Sequence, residues 1–183
     1  AIREVAGRHN LPVIEDAAHA LPTKYKGQMV GSLSNLTCFS FYATKTLTTG
    51  EGGMICTEDD ALAERCRIMA LHGISKDAWK RYSAEGNWAY DVLEIGFKYN
   101  MTDLQASLGI AQLRKVDWLW EKRKEIARRY TEAFASTGCI IPPSVKSDRQ
   151  SAWHLYIIKL HLEALIIGRN GFIEKLRERG IET

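Results

Sequence analysis

The chain has 183 residues, of which 45% are hydrophobic and 26% charged, and its formal net charge is +3. That is enough apolar material for a buried core, and the positive charge is too weak and too scattered for a nucleic-acid or membrane-surface protein. No apolar run is long enough to cross a bilayer, and no export-signal order opens the chain. The four cysteines (Cys38, Cys56, Cys66, Cys139) form no CxxC pair, which fits free thiols in a reducing cytoplasm better than zinc or disulfides.

The chain opens within a helical pattern, with Ile2, Val5 and Ala6 at helical spacing, and His9-Asn10 closes it before Leu11-Pro12. Pro12 to Asp16 then reads as a short buried strand ending in a carboxylate. Thr37 to Tyr42, rich in β-branched and aromatic residues, reads as a second strand, and Met54 to Thr57 as a third. Thr57 and Asp60 make a capping-box pattern before a helix with Leu62, Cys66 and Met69 on one face, ended by Gly73. Residues 74–95 have no clean period and read as a long loop.

Thr102 and Gln105 form a second capping box, opening a helix with Leu104, Leu108, Ala111 and Lys115 at its spacing. Another helix runs from Asp117 towards Ser136. Residues 138–150, with Pro142-Pro143, read as a linker between a first unit (1–137) and the start of a second (151–183). Trp153 to Leu160 reads as that unit's first strand, and Gly171 to Arg179 as a helix stopped at Gly180. Both ends look cut, the last three residues resembling a strand that does not arrive. Alternating strands and helices predict an α/β layer architecture.

Three features could carry chemistry. Asp16 ends a strand, where ligands of open α/β sheets collect; it suits either a protonated ring nitrogen or the N-cap of a helix from Ala17. Lys45 follows the Phe39–Thr44 stretch and precedes Gly50-Glu51-Gly52-Gly53. A lysine is usually a solvated charge, but a dry pocket would favour its neutral, nucleophilic amine. The third is Gly96 to Ala106, polar groups before a helix N-terminus, which fits anion binding or plain capping.

Val13-Ile14-Glu15-Asp16-Ala17-Ala18-His19-Ala20, then Phe39-Ser40-Phe41 with Lys45 and Thr49 to Met54, then Gly96 to Ala106, occur in the order of one family. The chain resembles the DegT/StrS family of nucleotide-sugar aminotransferases along nearly its whole length, through Trp153-His154-Leu155-Tyr156 to Gly180-Ile181-Glu182-Thr183. The resemblance implies a fold-type-I transferase of pyridoxal 5'-phosphate (PLP): a partial, three-layer α/β large domain in 1–137 and the start of the small C-terminal domain in 151–183. It implies that Lys45 holds PLP as a Schiff base and moves protons, and that Asp16 keeps the pyridine nitrogen protonated. His19 would meet the 3′ oxygen, where many relatives have glutamine, with a core histidine as the rival reading. Ser40 would give its hydroxyl to the phosphate, or be only the small polar residue of an alternating strand.

The family's cross-subunit phosphate contact is an asparagine that usually stands where this chain has Lys98, whereas Asn100 lies two residues on, so either residue fits. The stretch His72 to Tyr82 is most similar to the branch acting on UDP-linked 4-keto sugars, and Trp79, Tyr82 and Trp88 would form a sugar-nucleotide wall or simply pack on their loop. Glutamate as amino donor, a nucleotide-linked keto sugar as acceptor and a homodimer with shared sites follow from the same resemblance. The family's N-terminal phosphate loop and the end of its small domain have no counterpart in the sequence. The rivals are a non-catalytic remnant of the fold and the family's dehydratase-like branch, where the Schiff-base lysine is replaced; Lys45 counts against the latter.

Overall fold

The computed structural model describes residues 1–75 and 90–183. Trp79, Tyr82 and Trp88 therefore lie outside the described residues. Helix α1 (Ile2–Arg8) closes as its sequence predicts: Asn10 takes a positive φ of 52°, and the Leu11 amide donates back to the carbonyl of Ala6. The chain then enters a three-stranded sheet of order β1-β4-β5, made of β1 (Ile14–Asp16), β4 (Leu36–Ser40) and β5 (Gly53–Cys56). β1 and β4 run parallel, with Asp16 beside Cys38, and β4 and β5 run antiparallel, with Ser40 beside Gly53. Asp16 and Ser40 therefore stand at the same end of neighbouring strands. Both project on one face, since strand-paired residues share a side and side chains two apart do too.

Between β1 and β4 the sequence reading gave no element, and the structure has a hairpin of β2 (Lys24–Tyr25) and β3 (Gln28–Met29). Its two-residue turn puts Lys26 at φ 50° and Gly27 at φ 81°, the left-handed pair that matches strand twist in tight hairpins. β2 pairs on its other side with β7 (Arg149–Gln150), so a segment far along the chain is tied to the loop after β1.

Helix α2 (Asp60–Ala70) is capped by Asp59, whose carboxylate accepts from the amides of Ala61 and Leu62. The cap expected at Thr57 is thus displaced by two residues. Thr57 instead donates to the carbonyl of Asn35 and accepts from the Asp59 amide, holding the turn that leads into the cap. At the far end the Gly73 amide donates to Ile68 O, with φ 70° at Gly73. There the chain lies so close to the backbone of Glu94 and Gly96 that a side chain at 73 would collide with it.

Helix α3 (Asp103–Leu113) begins with the predicted box: Thr102 accepts from the Gln105 amide, and the Gln105 side chain accepts from the Thr102 amide. Helix α4 (Val116–Phe134) follows after a single turn. The two differ in what they bury. α4 places Ala127 in the core, whereas α3 buries no residue completely and leaves Leu104, Ile110 and Leu113 more than half exposed.

The strand expected from Trp153 to Leu160 is largely absent. Only β8 (Lys159–Leu160) forms, against β6 (Ile140–Ile141), while 151–158 is irregular and Trp153 has φ 52°. The physical reason is that α4 supplies its partners. Trp120 Nε1 donates to Ser151 O at 2.8 Å, and the Arg123 guanidinium donates to the carbonyls of Trp153 and His154 at 3.3 and 3.4 Å. The hydroxyls of Thr131 and Tyr156 bond at 2.9 Å, and the Tyr156 ring packs against Tyr130, Phe134 and Trp153. Carbonyls already satisfied by side chains need no neighbouring strand. A 3-10 turn (Leu162–Ala164) and helix α5 (Arg169–Arg177) complete the described chain, with Gly180 at φ 75° just past the helix. No helix among the described residues is long and apolar enough to cross a membrane. The buried residues among those described include Ala17, Leu33, Thr37, Phe41, Thr46, Leu47, Thr49, Ile74, Ala127 and Ala152.

Candidate functional site

The first wall is the crest of the sheet. After Asp16 the chain enters a turn, not a helix, so the capping role open to Asp16 on sequence grounds is not used. One carboxylate oxygen, Oδ1, accepts from the Ala18 amide at 3.0 Å, and the other has no partner among the described residues. Thr37, completely buried on β4, donates to Glu15 at 3.2 Å and fixes the strand pair directly below.

Lys45 sits in a loop locked at both ends. The Phe41 amide donates to Gly52 O, and both the Thr49 amide and the Thr48 hydroxyl donate to Phe41 O. Thr46, Leu47 and Thr49 are buried, so the loop is anchored beside the lysine. Gly52, at φ 152°, lies against Thr49 and Met101, where a Cβ would clash. This close approach is what the glycines after Lys45 permit. Lys45 itself is half-buried, its amide donates to Tyr42 O, and its Nζ has no hydrogen-bond or ion-pair partner among the described residues. Ser40 ends β4 and its Oγ accepts from the Tyr42 amide.

The second wall comes from the irregular stretch. A cavity of about 460 Å³ opens between Asp16, His19, Ala20 and Thr23 on one side and residues of the 144–157 segment, including Arg149, Gln150, Trp153 and His154, on the other. That volume suits a small organic ligand. The Gln150 side chain donates to Pro22 O and the Lys26 amide to Asp148 O, which fasten the two walls together. The His19 and His154 rings meet with centroids 4.3 Å apart. Burial holds the His154 imidazole below the ordinary histidine range, and the neighbouring His19, Lys45 and Arg123 push the same way. Arg149 is engaged by Asp148 at 2.8 Å, which holds that carboxyl below its usual range.

Asp16 and His19 line this cavity, whereas Lys45 and Ser40 do not: Lys45 is near enough to His154 to act on its charge, and Ser40 ends the strand beside that of Asp16. Lys98 and Asn100 are elsewhere: they bond each other, and neither lines this cavity. Their segment reaches the Lys45 loop only through its neighbours, since the Gln105 side chain donates to Glu51 O at 3.0 Å. His154, Trp153 and Arg149 had no role assigned from sequence. No spacing rule links them to Asp16 from over a hundred positions away, although Trp153 and His154 fall within a stretch that carries the family resemblance. No group of acidic, histidine and cysteine side chains among the described residues could hold a metal ion. The arrangement fits a pyridine aldehyde cofactor in two respects: an amine and, at a strand end, a carboxylate oxygen that have no partner among the described residues.

The sequence profile of the DegT/DnrJ/EryC1/StrS aminotransferase family matches residues 1–183. The chain is 50% identical over 182 residues to the uncharacterized protein MJ1066 of Methanocaldococcus jannaschii, covering 100% of this chain and 47% of that protein. It is 48% identical to the spore coat polysaccharide biosynthesis protein SpsC of Bacillus subtilis, covering 97% of this chain and 46% of SpsC. Among solved structures it is similar to Spr1654 of Streptococcus pneumoniae, a candidate sugar aminotransferase in its PLP form. There the TM-score is 0.81 at 36% identity, covering 94% of this chain and 43% of Spr1654. The chain therefore spans about half the length of the curated relatives it matches.

Proposed function

The chain belongs to the DegT/DnrJ/EryC1/StrS aminotransferase family, and on that premise we propose that it forms the lysine-bearing part of a PLP-dependent sugar aminotransferase. The observation that carries the proposal is that Lys45 Nζ and one Asp16 oxygen, each without a partner among the described residues, follow or end two neighbouring strands of one small sheet. PLP, when bound, supplies an electron sink for the carbon that gains or loses the amino group. Lys45 holds the cofactor through Nζ and afterwards carries the proton between the two carbon atoms that exchange it. Asp16 keeps the ring nitrogen protonated, His19 meets the 3′ oxygen, and Ser40 donates to the phosphate. Lys98 or Asn100 reaches the phosphate of a second subunit, a role compatible with their distance from this chain's own cavity.

The donor in this reading is glutamate and the acceptor a nucleotide-linked keto sugar, in the UDP-4-keto class by the resemblance of the His72–Tyr82 stretch. The polysaccharide role in the name of SpsC supports a sugar acceptor. A cytoplasmic homodimer, with a large domain in 1–137 and a small one from 151, completes the proposal. The test is to supply PLP and glutamate to the protein and measure release of 2-oxoglutarate. Stoichiometric release without a sugar acceptor, and turnover with one, are expected of the intact enzyme, whereas these 183 residues by themselves are expected to bind PLP poorly and show no transamination. Cofactor binding with no keto acid would instead select a non-catalytic relative of the fold.

A further inference from the structure

His154 reaches the site by a route that the cofactor reading does not use. Residues 151–156 are held by α4 through Trp120, Arg123 and Thr131, and this grip sets the His154 ring against His19. Its Nδ1 is buried and has no hydrogen-bond partner among the described residues. A charged imidazole would carry a proton on both nitrogens and leave one N–H unpaired there, so the geometry accommodates only the neutral ring comfortably. The cations around it agree: Lys45 follows β4 and Arg123 comes from α4, while Arg149 from β7 is already occupied by Asp148. The Asp16 carboxylate on the same cavity opposes them.

We propose that His154 is a positioning residue of the cofactor site, acting through His19: as an uncharged ring clamped by α4, it fixes the orientation of the His19 imidazole at the Asp16 end of the cavity. The inference rests on the proposed function for its purpose and on the ring contact for its geometry. A neutral aromatic ring is what the role demands, because a second cation beside Lys45 and Arg123 would be repelled. The ring, more than its nitrogens, is the working part.

The experiment compares the wild type with His154→Ala and His154→Phe. In the cofactor-free protein, histidine-selective NMR should show the His19 ring signals of His154→Ala shifted and averaged towards those of a free side chain. His154→Phe should keep them dispersed. With PLP as the probe, His154→Ala should raise the dissociation constant about tenfold, the usual order when a residue that orients a binding group is lost, and alter the visible band. His154→Phe should recover most of both. A purely structural role would lower the melting temperature without touching the His19 signals or the band. Unchanged His19 signals in a folded His154→Ala, or a His154→Phe as impaired as the alanine variant, would overturn the proposal. If the wild type holds no PLP at Lys45, the proposed function fails, and the cofactor-free signals still decide whether His154 positions His19.

Discussion

The two sides of the candidate site are built by different physics. The Asp16–Ser40–Lys45 wall is a product of backbone pairing: β1 and β4 run parallel in a fixed register, and main-chain bonds from Phe41 to Gly52 and Thr49 close the lysine loop. The 151–157 wall has no such ladder. It is held by side chains of α4 reaching across about thirty residues to carbonyls of an irregular stretch. A ladder sets position through many equivalent bonds, so single side chains there are free for chemistry. A wall hung on a few side chains makes each of them structural.

That contrast can be broken deliberately. Lys45→Ala removes the only amine in the 41–52 loop while its backbone bonds remain. Transamination should become undetectable with an unchanged melting temperature, checked by keto-acid release and calorimetry on the same sample. Asp16→Asn should reduce turnover by roughly 10²–10³, the scale of losing one placed electrostatic group. The fold should be indifferent, because an asparagine oxygen can still accept from the Ala18 amide. Near-wild-type turnover would leave Asp16 as a turn residue alone.

On the other wall the expected balance is reversed. Arg123→Ala removes the one guanidinium nitrogen that donates to both carbonyls, of Trp153 and of His154, at a cost of about 1.5–3 kcal/mol in a urea titration. It should also loosen the His154 stretch, seen as faster amide exchange in residues 151–156. Loss of stability without faster exchange would mean that the aromatic contacts of Tyr156 suffice.

The smallest effect is one of pH. The folded-state value for His154 lies below the unfolded value of about 6.5. As pH falls below that unfolded value the unfolded chain takes up the proton first, so stability declines until the folded value is passed. Denaturation at successive pH values from neutral to mildly acidic should show this slope, and His154→Phe should flatten it.

The difference between the walls also explains what the sequence reveals. β1, β4, β5 and the Thr102–Gln105 box are written in local residue choice, and Asp16 and Lys45 stand at ends of those elements. The hairpin at Lys26-Gly27 is signalled only by a single glycine after a lysine, and its strands are two residues long. Trp153 to Ile158 carries the alternation and aromatics of a strand, yet Trp120, Arg123 and Thr131 satisfy its polar groups first. None of those helix residues departs from an ordinary amphipathic pattern. Helix α3 marks another limit: Leu104 and Leu108 fall at its helical spacing, and within this chain both stay exposed.

The central claim is that Lys45 is the attachment point of the cofactor. Loading the protein with PLP, reducing with borohydride and mapping the modified peptide tests it directly. The account predicts a single pyridoxyl group on Lys45, absent after Lys45→Ala. A label found instead on Lys24, Lys26 or Lys98 would contradict it.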